Sequence, residues 1–335
     1  VDSVNIDELV DKAIPEILSE LDPHSVYISA KDVQLATDDL KGSFSGVGIE
    51  FNIRQDTLCI QNVIKDGPAD KAGLLAGDKV VSINGKSFVG KDVTNEEAMH
   101  RLKGPKDSKV KIGVKRYGEK GVKMFTVTRG DIAVKSVSAA YMLNDTTGYI
   151  RIKNFGERTY AEMLAALQTL NIRGADHLVI DLRDNGGGIL ESAVQMANEF
   201  LPKNRLIVYT QGRKSPRVNY RSDGKGSYQH IPMVVLINEG SASAAEIFAG
   251  AMQDNDRATI VGRRSFGKGL VQQQIQFNDG SLIRLTIARY YTPSGRCIQK
   301  PFKPGDNADY ENDILTRYQH GEFFSQDSIK PEGPA

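Results

Sequence analysis

At 335 residues the chain is long enough for two or three domains, each with its own core. Hydrophobic residues make up 40% and charged ones 25%, an ordinary globular composition. Its 43 basic residues nearly cancel 42 acidic ones, which argues against nucleic acid or an anionic membrane surface as a partner. Cys59 and Cys297 stand far apart without metal-like spacing, so no metal site is expected and a bridge between them stays open. No apolar run approaches a membrane span, and VDSVNIDELVDKAI has neither a basic n-region nor an apolar h-region. An export signal, if there is one, is expected upstream of these residues.

Residues 1–41 read as a helical segment, with Val4, Leu9, Ala13, Ile17 and Leu21 near helical spacing before LDPHS breaks the pattern. Residues 42–130 change to short alternating runs (LCIQNVI, DKVVSING, KVKIGVKR, KMFTVTR) between Gly, Asp, Asn and Pro turns. They predict a small β-rich domain, with one helix from about Thr94 to Leu102. The basic stretch from Lys103 to Lys123 reads as strands with solvated faces. Residues 131–302 alternate strands and helices from Gly148 onwards: GYIRIKNF, YAEMLAALQTL, HLVIDLR, ILESAVQMANEFL, MVVLIN, SASAAEIFAGAMQD and ATIVG. That is the pattern of an α/β core. Residues 303–335, part of a polar stretch beginning at Pro301, read as a peripheral tail.

Three loops of this core each follow a buried apolar strand: DNGGG at 184–188, EGSAS at 239–243 and RRSFGKG at 263–269. If the strands are parallel neighbours, the loops meet at one edge. One then brings glycine amides, one a serine at a helix start and one a lysine between glycines, the parts of an acyl-transfer site. Free N–H groups at the helix start favour negative charge at Ser243. Amides of the glycine loop and of Ala244 are candidate oxyanion donors. Lys268 is a candidate base, provided a dry pocket lowers its pKa. Each feature alone has an ordinary structural reading: helix cap (Ser241 above all), solvated turn, tight β-α turn.

Other chemistries fit less well. None of the five histidines has HExxH spacing, His230 enters at the wrong end of the strand leading to Ser243, and the GxSxG elbow is absent. The run from Gly262 to Lys268 fits the start of a P-loop, but Gly269 replaces the Mg²⁺-binding Ser or Thr and LVQQQIQF alternates like a strand. Asp254, eleven residues past Ser243 on the same expected helix, is ~16 Å away and serves at most as a helix anchor.

LVIDLRDNGGG, VLINEGSASAAEIFAGAMQD, VGRRSFGKGLVQ and YYTPSGRCIQKPF, with LDPHSVYIS and GSFSGVGIEF upstream, resemble the carboxy-terminal processing (tail-specific) serine peptidases of family S41 over roughly residues 20–302. The resemblance implies an α/β (α+β) multidomain chain: a ClpP/crotonase-like peptidase core, an inserted PDZ domain and the N-terminal helical segment. It implies Ser243, rather than Ser241, as nucleophile, Lys268 as base, Gln272 positioning that lysine, and Gly188 and Ala244 as oxyanion donors. Many members carry a third serine where this chain has Ala245. The β-rich segment resembles a PDZ domain, with Gly46, Val47, Gly48 and Ile49 as the carboxylate-binding loop and first ligand-pairing strand. The resemblance also implies that the PDZ domain can gate the active site, with Lys103, after the PDZ helix, as a candidate contact for that role.

The function so implied is endopeptidase cleavage through an acyl-enzyme, without a cofactor, of protein or peptide substrates whose apolar C-termini are caught by the PDZ domain. A non-cleaving PDZ adaptor on the same fold is the alternative. An extracytoplasmic location and a homodimer built through the N-terminal segment are expectations of the resemblance alone.

Overall fold

Apolar runs bounded by turns become adjacent strands. Thr147–Ile152, His177–Asp181, Met233–Ile237 and Thr259–Gly262 lie side by side in that order, all parallel, with Val137–Met142 antiparallel at the edge. The computed structural model describes residues 6–30, 32–33, 36, 43–91, 93–133, 135–303, 305 and 307–325. It divides into two compact units, residues 1–40 with 135–335, and residues 41–134. In the first, helices Thr159–Ile172, Leu190–Phe200 and Ala244–Asp254 supply the crossovers that parallel strands require. Ile150, Ile180 and Val235 from the sheet pack with Met163, Met196, Phe200 and Phe248 from the helices. The Ala244–Asp254 helix is buried on nearly every side, which its small residues permit. Ala245, fully buried there, places a methyl group in the core.

A second sheet in this unit is antiparallel, running Val26–Ile28, Leu282–Tyr291, Leu206–Gln211, Val218–Arg221, with Leu270–Gln276 also paired to Leu282–Tyr291. The N-terminal helix spans Ile6–Ser19. Its apolar stripe differs from expectation: Leu9 and Ile17 are 54% and 65% exposed, whereas the neighbouring Leu18 is buried. Val4 lies outside the described residues. The stretch after Pro301 is not peripheral as far as it is described. It forms helices Asn307–Glu311 and Asp313–Gln319, burying Tyr310 and Arg317. The polar composition hides this contact because Arg317 satisfies its guanidinium internally, on the Arg264 carbonyl (2.7 Å), the Ser265 carbonyl (3.2 Å) and Glu322 (2.9 Å).

The second unit is built on a six-stranded antiparallel sheet, ordered Ile49–Arg54, Thr57–Val63, Lys79–Ile83, Lys109–Lys115, Lys123–Thr128, with Lys86–Ser87 paired to Lys79–Ile83. Ser43–Gly46 and Gly130–Ala133 form a separate pair. Along Lys109–Lys115, Val110, Ile112 and Val114 are buried while Lys109, Lys111 and Lys115 face solvent, as the alternation implies. Helix Asn95–Leu102 starts at Thr94, whose Oγ1 accepts the Glu97 N–H at 3.1 Å. Cys59 and Cys297 are both free thiols.

Candidate active site

Parallel strands in matched register end together. Asp181 pairs with Leu236 and Ile237 with Gly262, so loops 182–189, 238–243 and 263–269 leave one edge of the sheet. The first two loops are knotted by Asn185, which is fully buried. Its Nδ2 donates to the Ile152 carbonyl, its Oδ1 accepts the Gly187 N–H, and its carbonyl accepts the Ala242 N–H, each at 2.9 Å. Ser241 is fully buried as well; its hydroxyl donates to the Leu182 carbonyl (2.7 Å) and accepts the Asn238 N–H (3.0 Å). It braces the loop. Ser243 is partly exposed and sits at φ 54°, ψ −114°, a strained conformation for a residue with a Cβ. Gly187 lies against it at φ +94°, where a Cβ would come within 2.6 Å of the Ala242 oxygen and 2.7 Å of Ser243 Cβ. Among the described residues, the Gly188 and Ala244 amides donate to no protein acceptor.

The third loop is sandwiched between the second and the segment at residues 298–300. Phe266 N–H donates to the Ser241 carbonyl, Lys300 N–H to the Gly267 carbonyl, and Gly269 N–H to Gln299 Oε1, each at 2.9 Å. A Cβ at Gly269 would lie 2.3 Å from the Gln299 nitrogen, so the glycines flanking Lys268 permit this close packing. Lys268 is half-buried, and among the described residues its ammonium makes no hydrogen bond or ion pair. Burial, then the nearby Arg284 charge, hold its pKa below the usual lysine range, with Asp22 opposing. His24 is kept neutral down to about 4 by burial and then by the Lys268 charge.

Two family models, two relatives and a solved structure are similar to this chain. A family model for peptidase family S41 covers residues 146–310 and one for the PDZ domain residues 45–128. A carboxy-terminal-processing protease of Bartonella bacilliformis is 41% identical over 87% of this chain and 67% of its own. The carboxyl-terminal-processing protease of Synechocystis sp. is 37% identical over 86% of this chain and 68% of its own. The chain belongs to the carboxy-terminal processing proteases of peptidase family S41. It spans about two thirds of the length of these curated relatives. The solved photosystem II D1 C-terminal processing protease superposes with a TM-score of 0.51 at 30% identity, covering 87% of this chain and 79% of that one.

Within this S41 chain, the Gln272 side-chain amide bonds the His24 carbonyl rather than Lys268. Asp254 fixes the far end of the serine helix by accepting from Ser294 N–H (3.0 Å), Ser294 Oγ (2.7 Å) and Arg296 (2.5 Å). Leu270–Gln276 is a strand, which removes the P-loop reading. In the PDZ unit, Gly48 takes φ +77° and the Val47 carbonyl accepts the Ala69 N–H at 2.8 Å. The strand Ile49–Arg54 that follows is a sheet edge, and Lys103 lies 4.6 Å over the Phe44 ring.

Sequence reasoning missed Glu246. Its Oε2 accepts the Ser243 N–H (2.8 Å) and the Lys268 N–H (2.9 Å); its Oε1 accepts the Gly267 N–H (2.7 Å) and Ser265 Oγ (2.6 Å). Burial pushes this carboxyl up, and those donors pull it back. The signal was present: Ser243 followed three residues later by glutamate is the capping-box spacing. Asn185 and Asp22, which hold the glycine loop and the 22–25 turn, had no comparable signal.

Proposed function

We propose that this S41 chain is a serine endopeptidase in which Ser243 is the nucleophile and Lys268 its base, and that its PDZ unit captures apolar C-terminal tails of clients. The observation that carries the reading is the half-buried Lys268 ammonium, unpaired among the described residues and depressed in pKa, in a loop bonded to the one that bears Ser243. Neutral Lys268 takes the Ser243 hydroxyl proton as Oγ bonds the scissile carbonyl carbon. The Gly188 and Ala244 amides, which meet no protein acceptor among the described residues, stabilise the resulting oxyanion. The lysine then returns the proton to the departing amine as the C–N bond breaks. Water next loses a proton to Lys268 and attacks the ester; the carboxylic product leaves and Ser243 regains its proton. Catalytic hydrogen bonds commonly tighten only with substrate bound, so the serine-lysine bond belongs to the loaded site.

At the PDZ unit, the segment from Gly46, at the end of a strand, to Gly48 is the proposed seat of a terminal carboxylate, and the edge strand from Ile49 is to accept the tail as an added strand. Export to an extracytoplasmic compartment and assembly as a homodimer remain part of this proposal through family kinship. The test is cleavage of a disordered protein bearing an apolar tail by wild type, Ser243→Ala and Lys268→Ala. Cleavage by wild type alone supports the assignment; equal cleavage by all three overturns it. Tail binding by wild type without cleavage moves the chain to the adaptor reading.

A further inference from the structure

Four donors from two loops converge on the Glu246 carboxylate, which is only 6% exposed. At the third position of its helix, Glu246 reaches back to the Ser243 N–H as a capping glutamate does. Of the four bonds to its carboxylate, the helix cap uses that one alone. The other three go to Ser265, Gly267 and Lys268, which belong to a different loop and lend nothing to the helix end.

We propose that Glu246 is a positioning residue that sets the spacing of nucleophile and base by holding both their main-chain amides on one oxygen. The inference rests on the Ser243–Lys268 reading above. With Ser243 and Lys268 both bonded to Oε2, their amide nitrogens lie no farther apart than the two bonds laid end to end. A shift of either loop must stretch a bond to the shared atom. The second oxygen fixes the lysine loop's orientation through Gly267 and Ser265. The bond at Ser243 also holds that residue in its strained φ and takes up its N–H, leaving Gly188 and Ala244 as the amides open to an oxyanion. Charge-assisted bonds of this kind are shorter and about twice as strong as neutral ones.

The test compares full-chain wild type, Glu246→Gln, Glu246→Asp and Ser265→Ala. kcat and KM are measured on one tailed substrate, with the folded fraction from circular dichroism at the assay temperature. Glu246→Gln keeps the volume but exchanges one acceptor oxygen for an NH₂ that cannot receive two N–H groups. Its kcat per folded molecule should fall ~100-fold, the scale of a small misplacement of reacting groups. KM should move by less than ~3-fold, because substrate binding is not what is lost. Ser265→Ala, missing one bond of the four, should lose a few-fold in kcat, and Glu246→Asp should recover part of the glutamine variant's loss. In Glu246→Gln the rise of kcat with pH should also move toward the ordinary lysine range as the loosened loop admits water to Lys268. A purely structural Glu246 would lower the melting temperature while leaving kcat per folded molecule and the pH profile at wild-type values, and that result overturns the proposal. Should Glu246→Gln fail to fold, wild-type kcat in both Glu246→Asp and Ser265→Ala overturns it equally. Ser243→Ala runs alongside: if it cleaves like wild type, the peptidase reading has failed, independently of Glu246.

Discussion

The main-chain carbonyl of His24 accepts the side-chain amide of Gln272, joining two residues 248 positions apart. His24 is held for this by Asp22, whose carboxylate accepts the N–H groups of His24 and Ser25 (both 2.9 Å), the Ser25 hydroxyl (2.5 Å) and the Thr286 hydroxyl (3.0 Å). Asp22→Ala removes all four bonds from a buried turn. The expected cost is about 2–4 kcal/mol of stability. kcat should fall as the Gln272 strand loses its anchor. Urea melts with parallel kinetics check both.

The depressed pKa of Lys268 has a sign that can be measured. The folded chain binds fewer protons than the unfolded one between the lowered pKa and the ordinary lysine value, so this group makes stability rise with pH across that window. Below the lowered pKa the cost of holding the buried charge is fully present. Lys268→Met should therefore melt higher than wild type near neutral pH, with the gap closing above about pH 10.4. Melting curves from pH 6 to 11 decide it; a gap independent of pH would show that the lysine is not held off its ordinary pKa.

Arg284 supplies the second-largest cause of that depression. Arg284→Gln should move the pH at which kcat rises upward, toward the unperturbed lysine range, with KM nearly constant. A pH–rate profile of the folded variant reads this directly.

Adjacent glycines of the first loop should differ sharply. Around Gly186 a Cβ would find open space, whereas at Gly187 it would meet the Ala242 carbonyl and Ser243 itself. Gly186→Ala should keep activity within about 2-fold, as surface changes usually do. Gly187→Ala should lose ~100-fold or more, because its collision displaces Ser243. Peptide cleavage by the two purified variants is the comparison.

Tail capture should fail separately from chemistry. At Gly48 a Cβ would lie 2.8 Å from Ile132 Cδ1, at φ +77°. Gly48→Val should raise KM for clients with apolar tails ~10-fold or more, while a short tailless peptide is cut at the wild-type rate. Equal loss on both substrates would remove the docking role.

Legibility in the sequence followed how local each signal was. The strands around Val179, Val235 and Ile260 and the helix after Ser243 announce themselves by apolar runs, and parallel neighbours then force their loops to one edge. Ser241 and Ser243 look alike in sequence; only the burial of the Ser241 hydroxyl between Leu182 and Asn238 separates them physically. The bonds of Gln272 and Arg317 depend on partners remote in the chain, which no local periodicity encodes. Arg317 in particular sits in a segment whose polarity reads as exposed, yet it is buried against the carbonyls of Arg264 and Ser265.

That clamp by Arg317 has a bearing on synthesis. Ribosomes deliver the chain from the N-terminus, so Ser243 and the sheet beneath it emerge well before Arg317. A nascent chain carrying the serine lacks the support that pins the lysine loop from residues 313–322. Ordering of the 263–269 loop would then wait for the helix Asp313–Gln319 to be made, long after the serine helix has formed.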